Sequence, residues 1–260
     1  GVPLGDLIPP TDLSFTPATF EDVGQFIDEE PEVLIVTPDN PAGAVNATDA
    51  VDEAGLPERD GNEPDEPEGS GEEAAAGANG DPSEGTSGTI VMDVPDGVAS
   101  VTINGVVVTS VGQEIEGEFG TLTITSISGS NIGYSYVLTD NTSGDDTSDF
   151  FAVVVTDTDG DTDTATLTID IVDDVPTARN DSGTQQAEGA PVTVDVFAND
   201  TEGADAVELD AISLVAGTLT GDGTVAYNGD GTFTYTPGPG EEGTVTFDYQ
   251  IVDGDGDVSV

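Results

Sequence analysis

The chain contains no cysteine, no histidine, no lysine and no tryptophan, and its only basic residues are Arg59 and Arg179. Without cysteine, neither disulfides nor thiol chemistry can hold it together. Without His, Cys or Lys, the usual general bases and most covalent nucleophiles are missing, and so are the soft and imidazole ligands that select transition metals. Two basic residues against 54 acidic ones leave a formal net charge of −52. That balance excludes nucleic acid as a partner held by phosphate neutralisation, and an anionic membrane surface would repel the chain. No run reaches the ~18 apolar residues of a membrane span, so no membrane insertion is expected. No basic-plus-apolar signal segment opens the sequence. The single methionine is Met92, so Gly1 is read as an internal residue of a longer chain. So acidic a surface suits a salty or calcium-rich setting, where counterions screen self-repulsion.

What is present is β-forming sequence in two blocks. Residues 1–85 read as an acidic, mostly disordered N-terminal segment and linker: Glu32 to Thr37 is one short strand candidate, and from Pro57 through Thr89 no Val, Ile, Leu, Met, Phe, Tyr or Trp occurs. Such a stretch buries too little to offset chain entropy. Residues 86–175 then carry seven short Val/Ile/Thr/Tyr-rich segments: TIVMDV, ASVTI, VVVTS, GTLTITSI, IGYSYVLT, FFAVVVT and ATLTIDIV. Turn residues separate them, including Asn104-Gly105, a strong two-residue hairpin signal. This predicts an antiparallel β-sandwich of immunoglobulin-like type. After Pro176, residues 176–260 predict a second sandwich with VTVDVF, VELDAISLV, GTLTG, TVAYN, TFTYTP and TVTFDYQIV as strands. The expected fold is all-β, two tandem immunoglobulin- or cadherin-like sandwiches after an acidic segment.

The acids that carry chemistry lie at a turn and its copy. Asp157, Asp159 and Asp161 fall within five residues, with Asp163 just beyond, between FFAVVVT and ATLTIDIV. Asp253, Asp255 and Asp257 repeat the first three at an offset of 96 residues, Gly256 repeats Gly160 and Phe247 repeats Phe151. Two units of one architecture in tandem are the mark of a repeat array. After Asp161 a full strand follows, whereas only three residues follow Asp257, so the second unit is expected to lack its last strand. Clustered carboxylates repel and are balanced by a hard cation with oxygen ligands; calcium fits best. A strand from the first turn to the linker sets those two features at opposite poles. By the same logic the second turn faces the linker, where Asp253, Asp255 and Asp257 are expected to share calcium with Asp173, Asp174, Asn180 and Asp181. Asn199 and Asp200 are further ligand candidates whose pole the sequence does not fix. The bland alternative is that these Asp and Gly residues only make polar turns. The pattern is not an EF-hand, since Gly stands fourth and no Glu closes a 12-residue loop.

TDTDGDTDTATLTIDIVDDVPTARND and VDVFANDTEGAD…GDGTFTYTP…FDYQIVDGDGD resemble the tandem cadherin-like and VCBS-type repeats of giant RTX adhesins, which Gram-negative bacteria export by type I secretion. The likeness covers about residues 86–260. It implies a repetitive, calcium-stiffened extender of a secreted or outer-membrane-associated cell-surface adhesin, acting in adhesion and biofilm formation, with neighbouring repeats of the same chain as partners. Ala74-Ala75-Ala76-Gly77 resembles the site at which a periplasmic cysteine protease cuts the retained subset of such adhesins, here between Ala75 and Ala76. The family's nonapeptide repeats and C-terminal secretion signal are not found in this sequence.

Two other function classes remain open. A carbohydrate-binding β-sandwich usually presents exposed aromatics; here Tyr134 and Tyr136, or Tyr227 and Tyr235, read better as strand residues packed on a core. Part of a glycan-active enzyme would need a carboxylate pair, and nothing in the sequence marks one. The chain is read as structural, not catalytic.

Overall fold

Alternation of apolar and polar residues, the pattern of a strand with one buried face, begins well before residue 86. The computed structural model describes residues 29–59, 67–74 and 80–260. In β1 (Glu32–Val36) Val33 and Ile35 point inward, and in β2 (Asn46–Asp52) Ala47, Asp49 and Val51 do. Both strands belong to the first sandwich. The boundary expected at residue 85 therefore does not hold, and the described part of the acidic segment is largely built in. Two short apolar runs that cannot form a core alone each complete a sheet edge, which is why local composition missed them. A short 3₁₀ turn, Glu53–Gly55, and the helix α1 (Ser70–Ala74) follow. The Ala75–Ala76 bond lies outside the described residues.

The seven expected strands of the first sandwich all appear: β3 (Gly85–Asp93), β4 (Val98–Ile103), β5 (Val106–Val107), β7 (Gly120–Ser128), β8 (Asn131–Leu138), β9 (Thr147–Asp157) and β10 (Thr162–Val172), with a short β6 (Glu114–Glu116) between β5 and β7. One sheet runs β1-β3-β8-β7-β6 and the other β2-β10-β9-β4-β5. All pairs are antiparallel except β2 with β10, which run parallel over seven residue pairs from Asn46↔Thr166 to Asp52↔Val172. That pairing corrects the expectation of a purely antiparallel sandwich. Asn104 and Gly105 both take positive φ (49° and 78°), as the hairpin between β4 and β5 requires. The two inner faces close over Tyr134, Tyr136, Phe151, Leu167 and Ile169, and Tyr136 meets Phe151 edge-on at 5.8 Å.

The second unit is thinner. β11 (Val192–Asp195), β14 (Thr232–Thr236) and β13 (Thr224–Tyr227) form one sheet; β12 (Ser213–Leu214), β15 (Tyr249–Val252) and β16 (Val258–Ser259) form the other. GTLTG forms no strand, and VELDAISLV yields a 3₁₀ turn at Leu209–Ala211 before β12. Its core gathers around Phe233, Ile251, Tyr249 and Val196. The 96-residue repeat extends to strand register: Val252↔Val258 and Ile251↔Ser259 reproduce Thr156↔Thr162 and Val155↔Asp163.

Candidate metal centre

Each acidic turn is built by its first aspartate. Asp157 Oδ1 accepts hydrogen bonds from the amides of Gly160 (2.9 Å) and Asp161 (2.8 Å). Asp253 Oδ1 accepts from Gly256 (3.0 Å) and Asp257 (2.7 Å) in the same way. A backbone bond closes each loop, Asp157 N–H to Asp161 O at 3.0 Å and Asp253 N–H to Asp257 O at 3.1 Å. The glycines sit at φ 112° and 115°, a region open essentially to Gly alone. One oxygen of the leading aspartate thus shapes the turn. Its other oxygen, Oδ2, is buried at both copies and receives no hydrogen bond.

At the junction the second unit's turn meets acids from the first. Oxygens of Asp145, Asp173, Asp255 and Asp257 lie within 4.8 Å of one another, and so do oxygens of Glu53, Asp173 and Asp205. Asp173 belongs to both groups. It follows β10, while Glu53 lies in the 3₁₀ turn after β2 and Asp145 in the loop between β8 and β9; Asp205 and the Asp253–Asp257 turn come from the second sandwich. Arg59 is the basic residue here: its Nη2 donates to Ala204 O at 2.7 Å and to Asn141 Oδ1 at 3.2 Å. Ala204 packs into the first sandwich's core cluster, so the join is apolar as well as charged. Gly203, at φ 76°, lets the backbone approach the carbonyl of Asp174 where any Cβ would collide.

The electrostatics are those of an anionic site short of positive charge. Burial, then the Asp257 carboxyl beside it and the charges of Asp255 and Glu53, push Asp173 up to about 8. Burial also raises Asp205 to about 7 against the opposing hydrogen bond from Asn141, and raises Asp253 to about 7 with the help of the Asp255 carboxyl. Glu53 is shifted upward, chiefly by burial. Buried oxygens of Glu53, Asp173, Asp205, Asp253 and Asp255 receive no hydrogen bond, although buried polar atoms are normally satisfied. A donor set made only of carboxylate oxygens, converging with unspent lone pairs, fits a hard divalent cation of the calcium type.

Of the sequence candidates, the structure brings Asp173, Asp253, Asp255 and Asp257 to the junction. Asp157 and Asp159 lie at the opposite pole of the first sandwich, where they meet Asp96; there Thr158 Oγ1 donates to Asp96 O at 2.7 Å, much as Gly254 N donates to Asp205 O at 3.1 Å. Asp161 serves that turn through its backbone. The others are placed differently. Asp163 accepts from the Val33 amide at 2.8 Å, tying β10 to β1. Asp174 accepts from the backbone and hydroxyl of Ser70, anchoring α1. Asn180 offers its carbonyl to Asn199. Asp181 and Asp200 flank the Tyr249 hydroxyl, since Pro176 leads the chain off along the second sandwich. Glu53, Asp145, Asp205 and Asp96 were missed. Asp145 had a signal: β9 starts at the pole where β10 ends, so the acids just before Thr147 reach the linker. Glu53 and Asp205 had none, because neither belongs to the repeated acidic turn or to the linker between the units.

The site lies where two immunoglobulin-like sandwiches abut. Residues 173–260, which span the second, match the family model described as bacterial Ig domain. Among solved structures, the chain is similar to the N-terminal Ig1-2 module of the Drosophila receptor protein tyrosine phosphatase DLAR (13% identity, covering 89% of this chain and 97% of that one, TM-score 0.29). It is also similar to the D00-D0 domain of intimin (13%, 68% and 89%, TM-score 0.27). A third likeness is to the SGBP-B protein of a Bacteroides ovatus mixed-linkage glucan utilization locus, solved with a mixed-linkage heptasaccharide (17%, 89% and 46%, TM-score 0.24). No match was found among curated proteins. Among the described residues, no helix is long and apolar enough to cross a membrane.

Proposed function

We propose that the chain is a pair of extender units from a secreted or cell-surface adhesin, and that calcium bound at their junction fixes the angle between them. The observation that carries this reading is the set of buried carboxylate oxygens from both sandwiches that converge without hydrogen-bond partners. An ion there bridges groups from two rigid bodies, so its binding energy acts on their relative orientation. Asp253, Asp255, Asp257 and Asp205 supply one side; Asp173, Asp145 and Glu53 supply the other. Calcium takes about 6–8 oxygens, and extracellular modules bind it at roughly 10⁻⁴–10⁻³ M, so the join is stiff outside a cell and loose inside one. Asp96, Asp157 and Asp159 offer a smaller set of the same kind at the far pole. The role is structural, with neighbouring repeats as partners; type I secretion and biofilm formation belong to the same reading through the resemblance.

The test is calorimetry of the whole chain in calcium and in chelator. Calcium is expected to raise the melting temperature by mass action on the folded state. Equal melting temperatures, with no heat of calcium binding by titration, would overturn the proposal.

A further inference from the structure

Glu53 and Asp173, two of the first sandwich's acids at the junction, sit on separate stretches of chain. Glu53 lies in the 3₁₀ turn after β2, and Asp173 follows β10. The short helix α1 spans the two stretches. On one side Gly69, just before the helix, donates to Leu56 O at 2.8 Å. It packs so closely on the carbonyls of Glu53 and Ala54 that any Cβ there would collide with both. Leu56 is buried in the first sandwich's core, so this side is fixed. On the other side Ser70 gives its amide (2.6 Å) and its hydroxyl to the two carboxylate oxygens of Asp174, the residue after Asp173. Behind the helix the buried Glu72 accepts from the amides of Gly80 (3.0 Å) and Asp81 (2.6 Å). The amide of Asp52 reaches Ser83 O at 2.9 Å, tying the segment after the helix back to the end of β2. Among the described residues, α1 adds no carboxylate to the groups of converging oxygens.

We propose that α1 is a positioning element for the junction. It clamps the Glu53 turn to the linker and so holds Glu53 and Asp173 at the spacing a shared cation needs. Carboxylates brought together without a cation repel. A clamp made of neutral donors and close backbone packing offsets that repulsion before the ion arrives, which is preorganisation. Ion affinity then depends on a helix that touches no ion, and by reciprocity an ion at the junction holds the helix down. Asp173 and Asp174 divide the work: one faces the cation, while the other is engaged by Ser70 and withheld from it. This rests on the calcium reading of the junction and adds the element that controls it.

Two variants of the whole chain test it. Gly69→Ala sets a methyl against the backbone carbonyls of Glu53 and Ala54 and leaves every acid in place. Ser70→Ala removes only the hydroxyl bond to Asp174. Calcium affinity is read by titration calorimetry. Amide exchange is read in calcium and in chelator at Ser70 and Glu73, which donate to Asp174 and to Gly69 O, with the amides of β9 as the reference for folding. In the parent, the Ser70 and Glu73 amides are expected to exchange about tenfold more slowly in calcium. Gly69→Ala is expected to lose about tenfold in calcium affinity, the scale of losing a group that orients a ligand, and Ser70→Ala to lose less in the same direction. A parent that binds no calcium would sink the junction reading and this proposal together. A parent that binds it, with both variants binding as tightly or with α1 exchanging alike in the two buffers, would overturn the positioning role alone. Should Gly69→Ala also speed exchange in β9, Ser70→Ala decides, and an unchanged affinity there overturns the proposal.

Discussion

Asn141 Nδ2, in the loop after β8, donates to Asp205 Oδ1 in the second sandwich at 2.5 Å. The bond engages one oxygen of Asp205 and leaves Oδ2 buried and unsatisfied beside Glu53 and Asp173. Asp205 is thus oriented by a neutral donor that does not cancel its charge. Asn141→Ala is expected to keep both sandwiches folded while weakening calcium binding at the junction by about tenfold, the scale of losing a group that orients a ligand. Isothermal titration checks it, and an unchanged affinity contradicts it.

Asp255 has both carboxylate oxygens buried and without hydrogen bonds. Asp255→Ala therefore removes a repulsive charge in chelator and a ligand in calcium. The variant is expected to melt at or above the parent in chelator and below it in calcium. Small-angle scattering in calcium should show a broader spread of interdomain lengths than the parent gives.

The raised carboxylates define a pH dependence. Asp173 at about 8 and Asp205 and Asp253 at about 7 compare with roughly 3.9 for an unfolded aspartate. Between those values the folded junction holds more protons than the unfolded chain. Its contribution in chelator is therefore full below about pH 4 and lost as pH rises towards about 8. Denaturant melts of the parent and of Asp173→Asn in chelator should diverge across that window, the variant depending less on pH. Calcium should stabilise the parent more at pH 8 than at pH 5.

Arg59 bridges the units without any ion. Arg59→Ala removes its bonds to Ala204 O and Asn141 Oδ1 and leaves Glu53 and Asp205 with less compensation. A loss of about 1–3 kcal/mol in chelator is expected, and a smaller one in saturating calcium. Equal losses in the two buffers would show that Arg59 acts by packing.

Asp149 tests the first sandwich apart from the junction. Its carboxylate accepts from the amides of Glu118, Phe119 and Gly120 and from the Tyr136 hydroxyl. Asp149→Ala orphans four donors and should cost about 3 kcal/mol or more. Chemical denaturation should show the loss in the first sandwich's transition, with calcium affinity at the junction unchanged.

Much of this was legible because the relevant signals are local. Runs rich in Val, Ile, Thr and Tyr between turn residues gave β7 to β10, Asn104-Gly105 gave a hairpin, and the paired D-x-D-G-D turns gave the repeat and half of the junction. The rest depends on contacts that no window contains. β1 and β2 look too short to matter until β3 and β10 offer them edges. Asp163, Asp174 and Asp181 share composition with the acids gathered at the junction, yet each has a nearer partner in Val33, Ser70 and Tyr249. Strand-by-strand reading of the second unit overshot because thin sheets hold fewer of their candidate segments in ladders.

The parallel pairing of β2 with β10 has a mechanical consequence. The chain enters near the pole of Asp96, where the Glu29 amide meets that side chain, and it leaves the first sandwich past Val172 at the other end. Tension along the molecule is taken first by β1 against β3 and, once β1 yields, drags β2 and β10 past each other lengthwise. Seven residue pairs resist together, where a hairpin peeled from its tip would surrender them one by one. A tether assembled from such units would yield late and abruptly under load.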